Sequence, residues 1–376
     1  MPHTPTLTYL GSASQYPSPK RALNSLFLTF QKEIWLFDCG ESTQTQFLKT
    51  KSDPAEITKI FISHLHGDHC FGIMAMLLRI EVAKQASPCL ESRARSVTIY
   101  GPVGMSEFIF ASLEGSSRDS LSYEYKVVEF LPLDLQFQKA ELLMTGQYSD
   151  NENLTKCCQD QIENVSSTIS QFFNRDKSKI DNYCQENNIL TFKDDEHHID
   201  ITDTFSQKTN ENCGNSSKYK FLNCFIVPLI HTIPSFGYIF VFKNKTILLY
   251  GDCCNSDLTL KVLNDPSLIP DQSKNEILLV HESTLDDSLK EDAIKKGHSC
   301  PEIVATFVQK INLKNTPKFT LILNHFSQRY VDEDKVDENN TRQPRTSIMI
   351  EDARKILSNE NLFDIHVAKD LWSLDI

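Results

Sequence analysis

The sequence predicts an α/β protein, and three observations carry that expectation. Short apolar runs bounded by turn residues recur along the chain. Segments with apolar residues at helical spacing fall between them. Histidine or aspartate follows directly on several of the apolar runs. At 376 residues with 40% hydrophobic content, the chain is long enough to bury a large core. One domain spanning 1–376 is expected, with a polar, partly disordered insertion at about 145–220.

The first elements are strands at 7–10, 26–30 and 34–37. A fourth at 59–62 runs into the segment SHLHGDHC at 63–70. Ile73, Met76, Leu77 and Ile80 then recur at helical spacing and predict a helix over 72–84. A strand at 97–100 follows, and Gly101-Pro102 opens a turn into a further helix. The insertion is rich in Asn, Asp, Ser, Gln and Lys; a helix is expected around 162–173, and His197–His198 reads as a solvated pair. Order resumes with strands at 221–229, 237–242 and 246–250, the last two joined by a tight turn at 243–245. Buried strands are expected at 277–280 and 320–323, and helices at 256–263, 301–310 and 348–358.

Composition excludes several classes. No apolar stretch approaches the roughly 18 residues of a membrane helix, and the first residues lack a signal or transit pattern. A cytoplasmic or nuclear location without membrane association is expected. The 11 cysteines are odd in number, scattered and free of CxxC pairs, which predicts buried thiols. A net charge of -12 argues against broad nucleic-acid affinity. It leaves room for a nuclease, because metal ions would dominate the local field.

The densest chemistry lies at 63–70. His64, His66, Asp68 and His69 fall within six positions of a chain that holds 11 histidines in all. Imidazole and carboxylate together suit a catalytic divalent metal, zinc above all. Gly67 gives the loop the freedom to curl around an ion. Single metal-competent residues follow four later strands: His231 after CFIVPLI, Asp252 after TILLYG, His281 after EILLV and His325 after FTLILN. Strand ends hold side chains rigidly, so successive ones can place ligands accurately.

The order HxHxDH, His, Asp, His resembles the metallo-β-lactamase superfamily. Further words narrow the resemblance to ribonuclease Z, the tRNA 3′ endonuclease: LGSAS, LFDCGE, SHLHGDH, YGP, FGY, YGDC, HEST, GHS and NHFSQRY. The resemblance implies an αββα sandwich of two mixed sheets flanked by helices. It also implies two zinc ions per active site. His64, His66 and His231 would hold one, Asp68, His69 and His325 the other, and Asp252 would bridge them. Asp68 would in addition take a proton from the attacking water, and His298 would donate one to the leaving 3′ oxygen. Glu282 could orient His298, Ser327 and Arg329 could touch phosphate, and His281 is expected to be structural. The implied reaction removes the 3′ trailer from precursor tRNA.

The chain departs from the family in places. Ser42, Thr45, Cys253 and Cys300 replace the usual residues of their words, and none is a ligand. The basic, glycine-rich arm expected between FGY and GD in short bacterial-type members is missing, since FGYIFVFKNKTILLYGDC runs straight through. That layout is most similar to the catalytic half of long-form members. It leaves the tRNA grip to a second copy in a homodimer, an accessory subunit or another surface. Two rival readings stay open: a phosphodiesterase or other hydrolase of the same fold acting on a different substrate, and a noncatalytic subunit that retains the fold.

Overall fold

Alternation of side chains along the strands sorts the core into layers. In the strand Ser235–Phe242, Phe236, Tyr238, Phe240 and Phe242 point to one buried cluster while Ile239 and Val241 point to another. A strand buried on both faces must lie between two packed layers. The same division holds in Lys245–Tyr250, where Ile247 and Leu249 face one way and Leu248 and Tyr250 the other. The computed structural model describes residues 5–87, 95–116, 121–131, 190–192, 198–205, 221–269, 275–313, 316–335 and 343–376.

The strands are β1 (Thr6–Gly11), β2 (Ser25–Phe30), β3 (Glu33–Phe37), β4 (Ile57–Phe61), β5 (Ser96–Pro102), β6 (Glu124–Leu131), β7 (Leu190–Thr191) and β8 (Ile199–Asp200). They continue as β9 (Phe221–Leu229), β10 (Ser235–Phe242), β11 (Lys245–Tyr250), β12 (Glu276–Glu282), β13 (Phe319–Asn324), β14 (Phe363–Val367) and β15 (Ser373–Asp375). Among the described residues one sheet runs β15-β1-β2-β3-β4-β5-β6-β7 and the other β14-β13-β12-β11-β10-β9-β8. Both are mixed. Antiparallel pairing joins β15, β1, β2 and β3, and parallel pairing takes over from β3 to β7. The second sheet is antiparallel from β8 to β11 and parallel from β11 to β14.

The two sheets meet through aromatic rings. Trp35 and Phe37 of β3 lie 5.5 and 5.4 Å from Phe240 of β10, and Phe61 lies 5.0 Å from Tyr238. Outside the first sheet pack α1 (Thr43–Phe47), α2 (Gly67–Cys70), α3 (Ile73–Ala86) and α4 (Met105–Gly115). After the short α5 (Thr202–Phe205) come α6 (Leu260–Leu263), α7 (Lys290–Lys295), α8 (Pro301–Lys310) and α9 (Ser347–Arg354), which cover the second sheet. The result is the expected αββα sandwich.

Most expected elements are present with shifted ends. The helix at 301–310 matches α8 at both ends, and that at 72–84 becomes α3. The segment at 256–263 opens with a 3₁₀ turn, Asp257–Thr259, before α6. Gly101-Pro102 corrects one expectation: it still belongs to β5, paired with Glu129 and Phe130, and the turn comes at Gly104 with φ 101°. Proline is tolerated there because it stands at the strand end. Within 145–220, β7 and β8 each extend a sheet at its edge. The expected helix at 162–173 and His197 lie outside the described residues, while the His198 ring packs 4.9 Å from Phe225.

Candidate metal centre

The parallel strands of both sheets end on the same rim, and the chemistry-bearing residues stand there. Asp38 follows β3, and His64, His66, Asp68 and His69 follow β4. His231, Asp252 and His325 follow β9, β11 and β13. Two glycines let the first-sheet loops pack this closely. A Cβ on Gly40 would stand 2.2 Å from the Asp68 carbonyl oxygen, and one on Gly72 would stand 2.1 Å from that of Gly40. This explains the glycine of LFDCGE. Gly67 opens α2, whose single turn swings Asp68 and His69 back toward His64.

Seven side chains converge in two groups. His64 Nε2 and His231 Nε2 each lie 3.1 Å from His66 Nδ1, and Asp252 Oδ2 is 3.6 and 4.0 Å from the same two Nε2 atoms. In the second group His325 Nε2 is 3.1 Å from His69 Nε2 and 3.3 Å from Asp68 Oδ2. Asp252 Oδ2 stands 3.4 Å from His69 and 3.3 Å from His325, so it borders both groups. A tetrahedral zinc with Zn–N of roughly 2.0–2.1 Å spaces its donors about 3.3 Å apart. The observed spacings fit such an ion.

The hydrogen bonds behind the ligands fix which nitrogen faces inward. His69 Nδ1 donates to Asp38 Oδ2 at 2.7 Å, and His231 Nδ1 donates to the Gly297 carbonyl at 2.7 Å. Ser63 Oγ donates to Asp38, so it accepts from His64 Nδ1 at 2.9 Å. Thr284 Oγ1 donates to Glu282, so it accepts from His325 Nδ1 at 2.9 Å. Four imidazoles thereby carry the proton on Nδ1 and turn the Nε2 lone pair toward the centre, the arrangement metal-bound histidines use.

Electrostatics match that donor set. Burial holds His64 well below the ordinary imidazole range, lowers His66 and pushes His231 down to about 4. These rings are neutral at neutral pH, the state that metal binding requires. His69 goes the other way: burial lowers it, but Asp252, Asp38 and Asp68 outweigh burial. Burial would raise Asp68 and Asp252, yet the surrounding histidines keep both carboxylates ionised.

His298 stands beside this set. Its Nδ1 lies 3.0 Å from Glu282 Oε1 and 3.7 Å from Asp252 Oδ2. Burial lowers its affinity for a proton, but the Glu282 carboxylate more than reverses this and lifts it to about 9. Nδ1, the nitrogen nearer Asp252, is thus engaged by Glu282. Glu282 is held in turn by the Cys253 and Thr284 backbone amides at 3.1 and 3.0 Å. His66, Asp68, His231, Asp252 and His298 open onto a cleft of about 610 Å³.

All seven expected ligands and His298 therefore meet at one rim. His281 does not join them; it is buried, with Nδ1 on the Glu282 carbonyl and Nε2 near Ser256 Oγ. The Ser327 amide donates to the Thr284 carbonyl, and Arg329 is exposed. Asp38, Ser63, Thr284 and the Gly297 carbonyl were not foreseen. Only Asp38 left a signal, as an acid directly after a strand in LFDCGE.

Comparison with known proteins follows the same line. A family model described as anti-Pycsar protein Apyc1 matches residues 5–97. The chain is 32% identical over 342 residues to the zinc phosphodiesterase ELAC protein 1 of Bos taurus, covering 86% of each. The chain belongs to the ribonuclease Z family. The crystal structure of the human tRNase Z short form, ELAC1, is 27% identical, with a TM-score of 0.60 and 99% of both chains covered. A long-form RNase Z from yeast is 17% identical with a TM-score of 0.57; the match spans this whole chain and 42% of that one, and shows the shared fold. Like its relatives in the ribonuclease Z family, the chain is a metal-dependent hydrolase.

Proposed function

We propose that the protein is a zinc-dependent endoribonuclease that removes the 3′ trailer from precursor tRNA. The observation that carries the reading is Asp252 Oδ2 shared between two ligand groups, with the His298–Glu282 pair beside it. His64, His66 and His231 would hold one zinc ion, Asp68, His69 and His325 would hold a second, and Asp252 stands where it could serve both. Bound there, the metal would supply Lewis acidity and an activated water at neutral pH.

The residues of the chain do the rest. Asp68 is ionised and open to the cleft, so it can accept the proton of the attacking water. The Gln15 amide donates to Asp68 Oδ2 at 2.7 Å and keeps that carboxylate oriented. His298 carries its proton at neutral pH because of Glu282, and donates it to the 3′ oxygen that leaves. The product tRNA then ends in a 3′ hydroxyl and the trailer begins with a 5′ phosphate.

β10 and β11 are joined by two residues, with Phe242 paired to Lys245. No gripping arm fits between His231 and Asp252, so a second copy or an accessory subunit supplies the hold on the tRNA body. No helix among the described residues is long and apolar enough to cross a membrane. Precursor tRNA as substrate supports a location in the cytoplasm or nucleus.

Metal analysis paired with a cleavage assay tests the reading. Purified protein should carry two zinc ions per chain and cut a precursor tRNA at the trailer junction. Turnover of a cyclic nucleotide or a lactone, with precursor tRNA left intact, would overturn it.

A further inference from the structure

One side chain in the cleft has no part in the chemistry above. Phe71 is 65% exposed. Among the large apolar side chains exposed in the described residues, it alone lines the cleft. It follows α2 directly, two residues before α3 begins at Ile73. Its exposure puts an aromatic side chain at the wall of the cleft.

The ring is held rather than loose. A Cβ on Gly67 would meet its Cε2, Cδ2 and Cζ at 2.4, 2.6 and 2.8 Å, so the ring lies directly over the Gly67 α-carbon. Phe108 of α4 stacks against it with centroids 6.2 Å apart and planes 19° apart. Gly67 sits in the chain between His66 and Asp68, one from each ligand group. The platform is therefore anchored on the loop that faces the scissile phosphate. A nucleobase stands one sugar away from its phosphate. The cleft wall also carries Lys296, its one lysine or arginine, in an otherwise acidic setting of Glu41, Asp68 and Asp252. Aromatic face and cation are the pair that nucleotides use on single strands.

We propose that Phe71 is a stacking platform for the base of a nucleotide flanking the scissile phosphate, and so a specificity-determining residue of the cleft. The proposal rests on the nuclease reading given above. Stacking on a ring already fixed in place loses little entropy, and every base has a face to offer, so the contact favours nucleotide chains without selecting their sequence.

The test compares wild-type protein with Phe71→Ala, Phe71→Leu and Phe71→Trp on precursor tRNA, with zinc content measured for each. By the usual worth of base–aromatic stacking, alanine should lower kcat/KM by about 5- to 150-fold, mostly through KM, at unchanged zinc content. Tryptophan should restore activity and leucine should not, because leucine keeps the bulk but lacks the aromatic face. Two further substrates each carry an abasic nucleotide, one on either side of the cleavage point. On one of them wild type and Phe71→Ala should become equal. Equal activity of wild type and Phe71→Ala on intact precursor, rescue by leucine, or a difference that persists on both abasic substrates would overturn this inference alone. Failure of wild-type protein to cut any precursor would overturn the nuclease reading and this inference with it.

Discussion

The two sheets contribute to the metal centre in different ways. The first delivers His64, His66, Asp68 and His69 from one loop, folded back on itself by the turn at Gly67. The second delivers His231, Asp252 and His325 singly, each from the end of a different strand. In the loop of four, Asp38 braces both His64 and His69, accepting from the Ser63 amide, from Ser63 Oγ and from His69 Nδ1, while the Gln15 backbone amide holds Asp68. The single residues have separate braces from the loops around the second sheet, the Gly297 carbonyl for His231 and Thr284 for His325. The dispersed residues depend on the sheet to hold them in register.

The comparison can be broken most severely where the two halves meet. Asp252→Ala removes the one carboxylate that both groups border, and cleavage should fall to background together with zinc content. Asp68→Ala should also abolish cleavage through loss of the proton acceptor while leaving the fold intact. A circular-dichroism melt alongside the cleavage assay separates chemistry from folding, and wild-type turnover in either variant would contradict the assignment.

His298→Ala tests a residue from the loop between α7 and α8 that belongs to neither ligand group. The chemical step should slow by about 10²- to 10⁴-fold, the usual worth of general acid catalysis, with zinc content unchanged. Zinc loss in this variant, measured by elemental analysis, would place His298 among the ligands.

The smallest effects sharpen the contrast between shared and separate braces. Thr284→Val should weaken metal affinity about 10- to 100-fold, the typical cost of losing a group behind a ligand. Asp38→Asn should cost more than Thr284→Val, since Asp38 braces two histidines of the loop, His69 directly and His64 through Ser63. Competition with a zinc-binding dye measures both; equal losses would remove the distinction.

How much of this was legible in the sequence follows from the same contrast. The HLHGDH word is dense enough to announce itself. His231, Asp252 and His325 could be read only as a repeated position after apolar runs, and their assignment to two groups came from the family resemblance. Doubly buried strands such as β9 and β13 were visible because every residue is apolar or nearly so. β6 was not, because its first half, Glu124–Lys126, is polar and largely open to solvent. The five-residue α1, TQTQF, is too short and too polar for a helical period to show. The braces were hidden for a different reason: Thr284 is one hydroxyl among many, and a backbone carbonyl such as Gly297 leaves no letter at all.

Asp252 Oδ2 lies within 4.0 Å of His64, His69, His231 and His325. Were two ions held as proposed, that one shared oxygen would tie their occupancies together. Filling one seat would draw charge from the oxygen and alter what the other attracts, and by linkage the influence would run equally in both directions.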